Sequence, residues 1–369
     1  MAKVIGLVNL HANVDYKGLT ERRPAASVSF LGRYGIIDFA LSNFSNSGID
    51  SVGVLIKEKP RSLFKHMGLG NSWNFNSKSG GISLLYNEKY ANNPHYNHDI
   101  NNMIENKYFF NKTKADYVVI APAHIITTLN YSEVVEAHEK SGSKITMVYK
   151  NIDDADKSFI GEKYVSVKNN KIIEVVVNKG NRKKRCMSLS TYVINLDYLM
   201  KLMKKSSSVS AFFDLSDILG YLCDEADIAA YEYRGYATCL NSLEAYYKHS
   251  LEFLDIEIFS TVFKSNWPIY TNTKDTPPSK YKANAKVKKG FVANGAIVDG
   301  HVENSIIGRD VVIGTGAVVK NSILLSGSVV GPGAVLENVI LDKDSKVEVS
   351  KSLTGTSIEP LYVKEGDVV

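Results

Sequence analysis

Glu303-Asn304-Ser305-Ile306-Ile307, Lys320-Asn321-Ser322-Ile323-Leu324 and Glu337-Asn338-Val339-Ile340-Leu341 follow one another at a period of 17 residues. A repeat this short cannot bury an apolar face alone, so its copies must stack and share a core. Around them the aliphatic residues Ile297, Val302, Ile307, Ile313, Val319, Leu324, Val330 and Leu336 fall five or six apart, and Gly308, Gly314 and Gly331 directly follow three of them. A step near six and a turn near 17 describe three short strands per coil. That pattern predicts a left-handed parallel β-helix with these aliphatics stacked inside. The three glycines are expected at corners that need positive φ. His301, the one histidine of this region, has no evident partner and reads as structural.

Upstream of the repeats the pattern changes. Three of the nine prolines, Pro268, Pro277 and Pro278, fall within residues 267–278 among Thr, Asn and Ser, which marks a linker. Before it, β-branched runs at 4–10, 51–56, 116–121 and 144–149 alternate with amphipathic stretches at 36–47 and 131–141, the second preceded by Asn130 as an N-cap. Alternation of this kind predicts a doubly wound, Rossmann-like α/β domain around a mostly parallel sheet. The expected division is an α/β domain over 1–260, a linker over 261–285 and a β-helix over 286–369.

At 369 residues the chain is long for one core, and 44% hydrophobic with 22% charged residues describes a sequence that folds throughout. A net charge of +5 favours anionic small ligands or acidic partners without arguing for nucleic acid. Cys186, Cys223 and Cys239 form neither a CxxC pair nor a zinc spacing and read as free thiols of a reducing compartment. The first residues lack the charged and apolar regions of a signal peptide, and no run approaches the roughly 18 apolar residues of a membrane span. A cytoplasmic protein without membrane or nucleic-acid partners is expected.

The stretch Gly32-Arg33-Tyr34-Gly35-Ile36-Ile37-Asp38-Phe39-Ala40-Leu41-Ser42-Asn43, followed by Asn46-Ser47-Gly48-Ile49 and Val52-Gly53-Val54-Leu55, carries a specific likeness. It resembles the Tyr-Arg-Ile-Ile-Asp-Phe-Ala-Leu-Ser-Asn motif of the ADP-glucose pyrophosphorylases, or glucose-1-phosphate adenylyltransferases. Trp267-Pro268-Ile269, Pro277-Pro278 and the repeats look like the same family, so the resemblance covers most of the chain. It implies a nucleotidyltransferase domain of GT-A-like, Rossmann-like α/β fold followed by a left-handed parallel β-helix.

The resemblance also locates what is missing. The family's first strand leads into Leu-Ala-Gly-Gly-x-Gly-x-Arg-Leu; with Leu19-Thr20 as anchor, its glycines fall at Leu10, His11 and Asn13 and its arginine at Asp15. Side chains at the glycine positions obstruct the approach of backbone N–H groups to a triphosphate. Asp15 places an anion where phosphates would lie, and two charges about 4 Å apart at an effective dielectric near 20 interact by roughly 4 kcal/mol. The phosphate-binding lysine of Arg-Ala-Lys-Pro-Ala falls at Ala25, and the metal-binding aspartate of Leu-Ala-Gly-Asp-His-Ile falls at Ala123. The second metal carboxylate, from Asp-Val-Gly-Thr, falls at Cys239, a soft donor ill-suited to Mg2+. Nucleotidyl transfer relies on these charges, and four such losses leave negligible activity.

Other positions keep binding chemistry. The sugar-phosphate loop, Glu-Lys-Pro in the family, reads Asn178-Lys179-Gly180, so Lys179 is a candidate phosphate ligand, as are Arg22 and Arg23 at basic positions that bind a phosphorylated regulator in active relatives. The chain is most similar to the GlgD-type regulatory subunits of the family. That likeness implies a subunit with no catalytic residues and no cofactor, paired with a catalytic ADP-glucose pyrophosphorylase chain in a heterotetramer and tuning it in glycogen synthesis. Two alternatives stand beside it: an active adenylyltransferase using Mg2+ and ATP through an atypical site, and a stand-alone sensor of sugar phosphates or nucleotides.

Overall fold

The computed structural model describes residues 2–75, 80–223 and 225–369. The chain forms two compact units and passes between them more than once. One comprises the described parts of Met1–Asn13, Ile37–Cys239 and Asn266–Tyr270; the other comprises Val14–Ile36, Leu240–Ser265 and Thr271–Val369.

The first unit is built on a nine-stranded sheet in the order Gly81–Tyr86, Ser51–Ile56, Val4–Asn9, Tyr117–Pro122, Arg185–Asn195, Ile145–Ile152, Ile228–Glu232, Lys171–Val177, Lys163–Lys168. The first four strands run parallel, and Arg185–Asn195 lies antiparallel to both of its main neighbours. Val4–Asn9 is central, and Ile5, Leu7 and Val8 are all buried, so it reads as a continuous apolar run. Helices flank the sheet. Tyr131–Ser141 starts where Asn130 Oδ1 accepts the Ser132 N–H at 3.0 Å and stops at Gly142, whose φ of +66° suits glycine. Helix Ile37–Asn46 buries Phe39, Leu41 and Phe44 together with three polar residues, Asp38, Ser42 and Asn43.

In the second unit every pairing among the coil strands is parallel, and three inward columns fill the core. They are Val298, Ile313, Val330 and Val347; Val302, Val319 and Leu336; and Ile307, Leu324, Leu341 and Val363, all buried. One aliphatic of the sequence pattern is out of phase. Ile297 registers with Val312 and Val329 in a half-buried outer column, and Val298 takes the inward place, because a shift of one residue on a strand reverses the side chain's face.

The glycine expectation is corrected as well. Gly308, Gly314 and Gly331 are absent from the positive-φ positions; instead a Cβ on Gly314 would meet Pro332 N at 2.6 Å, and one on Gly331 would meet Glu348 C at 2.7 Å. These glycines allow the next coil's backbone to come close. The left-handed corners lie elsewhere: Asn304, Asn321 and Asn338 at φ of 46°, 46° and 54°, and Gly316, Gly333 and Ser350 at 73°, 71° and 54°. Asparagine tolerates that conformation, and Asn304 Nδ2 donates to Asn321 Oδ1 at 2.8 Å along the stack.

Segments Val14–Ile36 and Leu240–Ser265 belong to the coil's unit and pack on one another through aromatic rings. Tyr16 stacks on Tyr246 at 5.3 Å, and Phe30 meets Phe253 edge-on at 5.5 Å. The Tyr247 hydroxyl donates to Asn321 O at 2.5 Å.

Candidate functional site

In a doubly wound sheet, ligands gather at the carboxyl ends of the strands. Two of the degenerate stretches lie there. Asn9 pairs in register with Pro122, so Leu10, His11 and Asn13 leave one strand beside the place where Ala123 leaves its neighbour. The Leu10 N–H donates to Leu55 O at 3.1 Å and is therefore spent within the sheet. His11 is buried; its N–H donates to Asn9 Oδ1 at 3.0 Å, and its Nε2 lies 3.5 Å from Asn102 Nδ2. Burial first, then the cationic Lys57 and the neighbouring His98, push its pKa down to about 3, so the ring is neutral near pH 7. Asn13 Oδ1 accepts from Lys57 Nζ at 2.8 Å. This loop satisfies itself with side chains where a phosphate cradle offers bare amides.

Asp99, which sequence reasoning missed, closes the same patch. Its Oδ2 accepts from Asn9 Nδ2 at 2.7 Å and its Oδ1 from the Leu215 N–H at 2.9 Å. Burial, reinforced by Asp214, pushes its pKa up to about 7. No local motif flags it, since Asn9 and Asp99 are 90 residues apart.

Ala123 is buried and contributes only a methyl group. Cys239 is buried on the short strand Ala237–Cys239, which pairs antiparallel with Ile125–Thr127 so that Cys239 faces Ile125. Beside it stand His124 and Glu162: His124 Nε2 lies 3.1 Å from Glu162 Oε1, and Cys239 Sγ lies 3.8 Å from the same oxygen. Burial pushes the Cys239 thiol well above its usual range, and the Glu162 carboxylate pushes it further. Lys179 is exposed, next to a buried Asn178 whose Nδ2 donates to Ala155 O at 2.8 Å and Phe159 O at 3.1 Å.

The retained motif has an architectural role here. Asp38 Oδ1 meets His66 Nε2 at 2.6 Å, Ser42 Oγ accepts the Tyr270 N–H at 2.8 Å, and Asn43 Oδ1 accepts from Trp267 Nε1 at 2.9 Å. Asn43 Nδ2 also donates to Thr127 O at 3.0 Å. Ser42 and Asn43 tie helix Ile37–Asn46 to Asn266–Tyr270, while Asp38 and the Asn43 amide hold it to His66 and Thr127, an architectural use of the motif that does not depend on catalysis.

The remaining positions belong to the other unit. Asp15 Oδ1 accepts the Lys17 N–H at 2.8 Å and the Thr20 hydroxyl at 3.0 Å, and Ala25 opens a short 3-10 turn. Arg22 is exposed. Arg23 is buried; its guanidinium is bonded to Asp342 and lies 3.5 Å from Glu365, and its Nε donates to Leu19 O at 2.9 Å. A regulator's phosphate would compete at Arg23 with two carboxylates already in place, whereas Arg22 is open to solvent.

A Rossmann-like sheet followed by a hexapeptide coil defines a nucleotidyltransferase-type architecture. The comparisons agree with it: the family described as nucleotidyl transferase matches residues 17–251, and the GlmU-like C-terminal hexapeptide matches residues 277–356. The coil is thus the left-handed parallel β-helix that the repeats led one to expect. The chain belongs to the nucleotidyl transferase family, within the group that contains the glucose-1-phosphate adenylyltransferases.

It is 32% identical over 354 residues, covering 94% of this chain and 91% of the relative, to the glycogen biosynthesis protein GlgD of Bacillus subtilis. It is 30% identical over 306 residues to the glucose-1-phosphate adenylyltransferase of Clostridium acetobutylicum, covering 82% and 80%. That of Lachnospira eligens is 32% identical over 298 residues, covering 80% and 70%. The Mg2+ that such an activity implies is not fitted by the residues present, since Ala123 offers no oxygen side chain and Cys239 offers sulfur. Among the described residues no helix is long and apolar enough to cross a membrane.

Proposed function

We propose that this chain is a non-catalytic regulatory subunit acting on a glucose-1-phosphate adenylyltransferase in cytoplasmic glycogen biosynthesis, assembled with the catalytic chain as a heterotetramer. The observation that carries the reading is the loss, inside an otherwise retained fold, of the triphosphate-loop, phosphate-lysine and metal-carboxylate positions of one reaction, with only the sugar-phosphate Lys179 kept. The amide of Leu10 is spent, His11 is buried and neutral, and methyl groups stand at Ala25 and Ala123. In-line transfer to a nucleoside triphosphate needs neutralising charge from metal, lysine and arginine. Losing a single preorganised electrostatic donor of the oxyanion-hole kind costs about 2.7–4 kcal/mol at a barrier, so the absence of several charged groups leaves no ordinary route to turnover. The comparisons support the pathway: the Bacillus relative is named for glycogen biosynthesis and the other relatives for adenylyl transfer to glucose 1-phosphate.

The test is to mix the purified chain 1:1 with the catalytic adenylyltransferase of the same genome, measuring molar mass by light scattering and the initial rate of ADP-glucose formation. A mixed tetramer with a higher rate or an altered response to sugar bisphosphates is expected. Two proteins eluting separately with unchanged kinetics would sink the proposal. Exposed Lys179, on a loop fixed by Asn178, favours a second reading in which the chain also senses a sugar phosphate. A thermal shift with glucose 1-phosphate, abolished in Lys179→Ala, is the outcome that reading requires.

A further inference from the structure

We infer that His124, Glu162 and Cys239 form a binding site for a borderline-soft divalent transition metal, with Zn2+ the best match. The three side chains come from separate parts of one unit, and their nearest ligand atoms all lie within 4.8 Å of one another. Zinc bonds of about 2.0 Å to nitrogen or oxygen and about 2.3 Å to sulfur, opened to a tetrahedral angle, put neighbouring donors roughly 3.3–3.6 Å apart. The separations of 3.1 Å for His124 Nε2 to Glu162 Oε1 and 3.8 Å for Cys239 Sγ to that oxygen bracket these two edges. The third pair, His124 with Cys239, lies within 4.8 Å, so the sulfur and the imidazole must draw together for a tetrahedral ion to seat.

Nitrogen, oxygen and sulfur donors together select zinc-like ions, whereas Mg2+ demands an oxygen shell. His124 and Cys239 are buried, and the pairing of Cys239 with Ile125 fixes its backbone opposite the residue that follows His124. Glu162 is only partly buried and gives the ion a way in from solvent. Without metal, the thiol and the imidazole share a single carboxylate oxygen, and the 3.8 Å sulfur–oxygen contact is long. On binding, the thiol proton leaves to solvent as the sulfur–metal bond forms. Three protein ligands leave a fourth position for water or for an oxygen of a bound anion. The site stands at the carboxyl edge of the sheet and is independent of the regulatory-subunit reading.

Titration of the full chain with Co2+, a spectroscopic stand-in for Zn2+, tests it. One ion per chain is expected, with a thiolate-to-cobalt charge-transfer band and intense tetrahedral visible bands, reversed by Zn2+ and untouched by Mg2+. The band must persist in Cys186→Ser/Cys223→Ser and vanish in Cys239→Ser. Glu162→Gln, at the partly exposed ligand, keeps the test open if Cys239→Ser does not fold; it should weaken Zn2+ binding roughly 100-fold, at least as much as losing a supporting residue does. Absence of the thiolate band, its survival in Cys239→Ser, or Zn2+ affinity unchanged in Glu162→Gln would overturn the assignment.

Discussion

Asn9 bridges His11 and Asp99, whose protons act on stability in opposite directions. The His11 pKa falls from 6.5 to about 3 on folding, so between those values the unfolded chain holds the extra proton and stability drops as pH falls. For Asp99 it rises from 3.8 to about 7, so the folded chain holds the extra proton and stability drops as pH rises through that window. Relative to wild type, His11→Gln should gain stability as the solution is acidified below pH 6.5, and Asp99→Asn as it is made more alkaline above pH 3.8. Each slope is at most about 1.4 kcal/mol per pH unit. Urea midpoints across pH 4–7 would read both, and parallel curves for all three proteins would contradict the assignment. Arg23 offers a sharper contrast with its neighbour. Arg23→Met strands buried Asp342 and should cost about 3–5 kcal/mol, whereas exposed Arg22→Ala should stay within about 0.5 kcal/mol. Equal effects in thermal melts would refute the division. The substitutions at 10, 11, 25, 123 and 239 were legible in sequence because each sits in a recognisable motif. Glu162 and Asp99 were not, since Glu162 reaches Cys239 across 77 residues and only the fold brings them together.

Among the elements, the repeat disclosed the coil but not how its glycines are used. Gly314 sits where a Cβ would strike the next coil's backbone, while Gly316 has open space and a φ of 73°. Gly314→Ala should therefore cost about 1–3 kcal/mol by overpacking, and Gly316→Ala about 1–2 kcal/mol by backbone strain alone. The diagnostic is Gly316→Asn, expected near neutral in denaturant melts, against Gly314→Asn, expected worse than the alanine. Sequence spacing also misassigned Ile297. Val298 pairs with Ile313 across 15 residues where Ile313 pairs with Val330 across 17, so only four residues separate Val298 from Val302 and a five- or six-residue rhythm stepped back from Val302 misses it. Strands and helices with local signals were readable: Ser51–Ile56 and Tyr131–Ser141 have the bounds expected of a β-branched run and a capped helix. Arg185–Asn195, inserted antiparallel into the sheet, carries no such signal because strand direction is set by partners far away in the chain.

For the molecule as a whole, the sequence reveals the two kinds of architecture, since one repeats and the other alternates. It does not reveal that Val14–Ile36 and Leu240–Ser265 join the coil's unit, because Tyr16, Phe30, Tyr246 and Phe253 find one another only after folding. On the proposed reading, the departures from the family motifs are also distributed over the molecule. Restoring carboxylates alone, as Ala123→Asp/Cys239→Asp, should leave the chain inactive, because the loop at Leu10–His11 and the position of Ala25 still lack phosphate-binding groups. Measurable turnover in that double variant would mean that the loop is not an obstacle. The most direct test of the account is the rate of Mg2+-dependent ADP-glucose formation from ATP and glucose 1-phosphate by the isolated chain, by the catalytic adenylyltransferase alone, and by the two together. The expected result is a rate for the isolated chain indistinguishable from the blank and a mixture faster than, or regulated differently from, the catalytic chain alone. Turnover by the isolated chain would contradict the account, because another set of residues would then have to supply the missing charges.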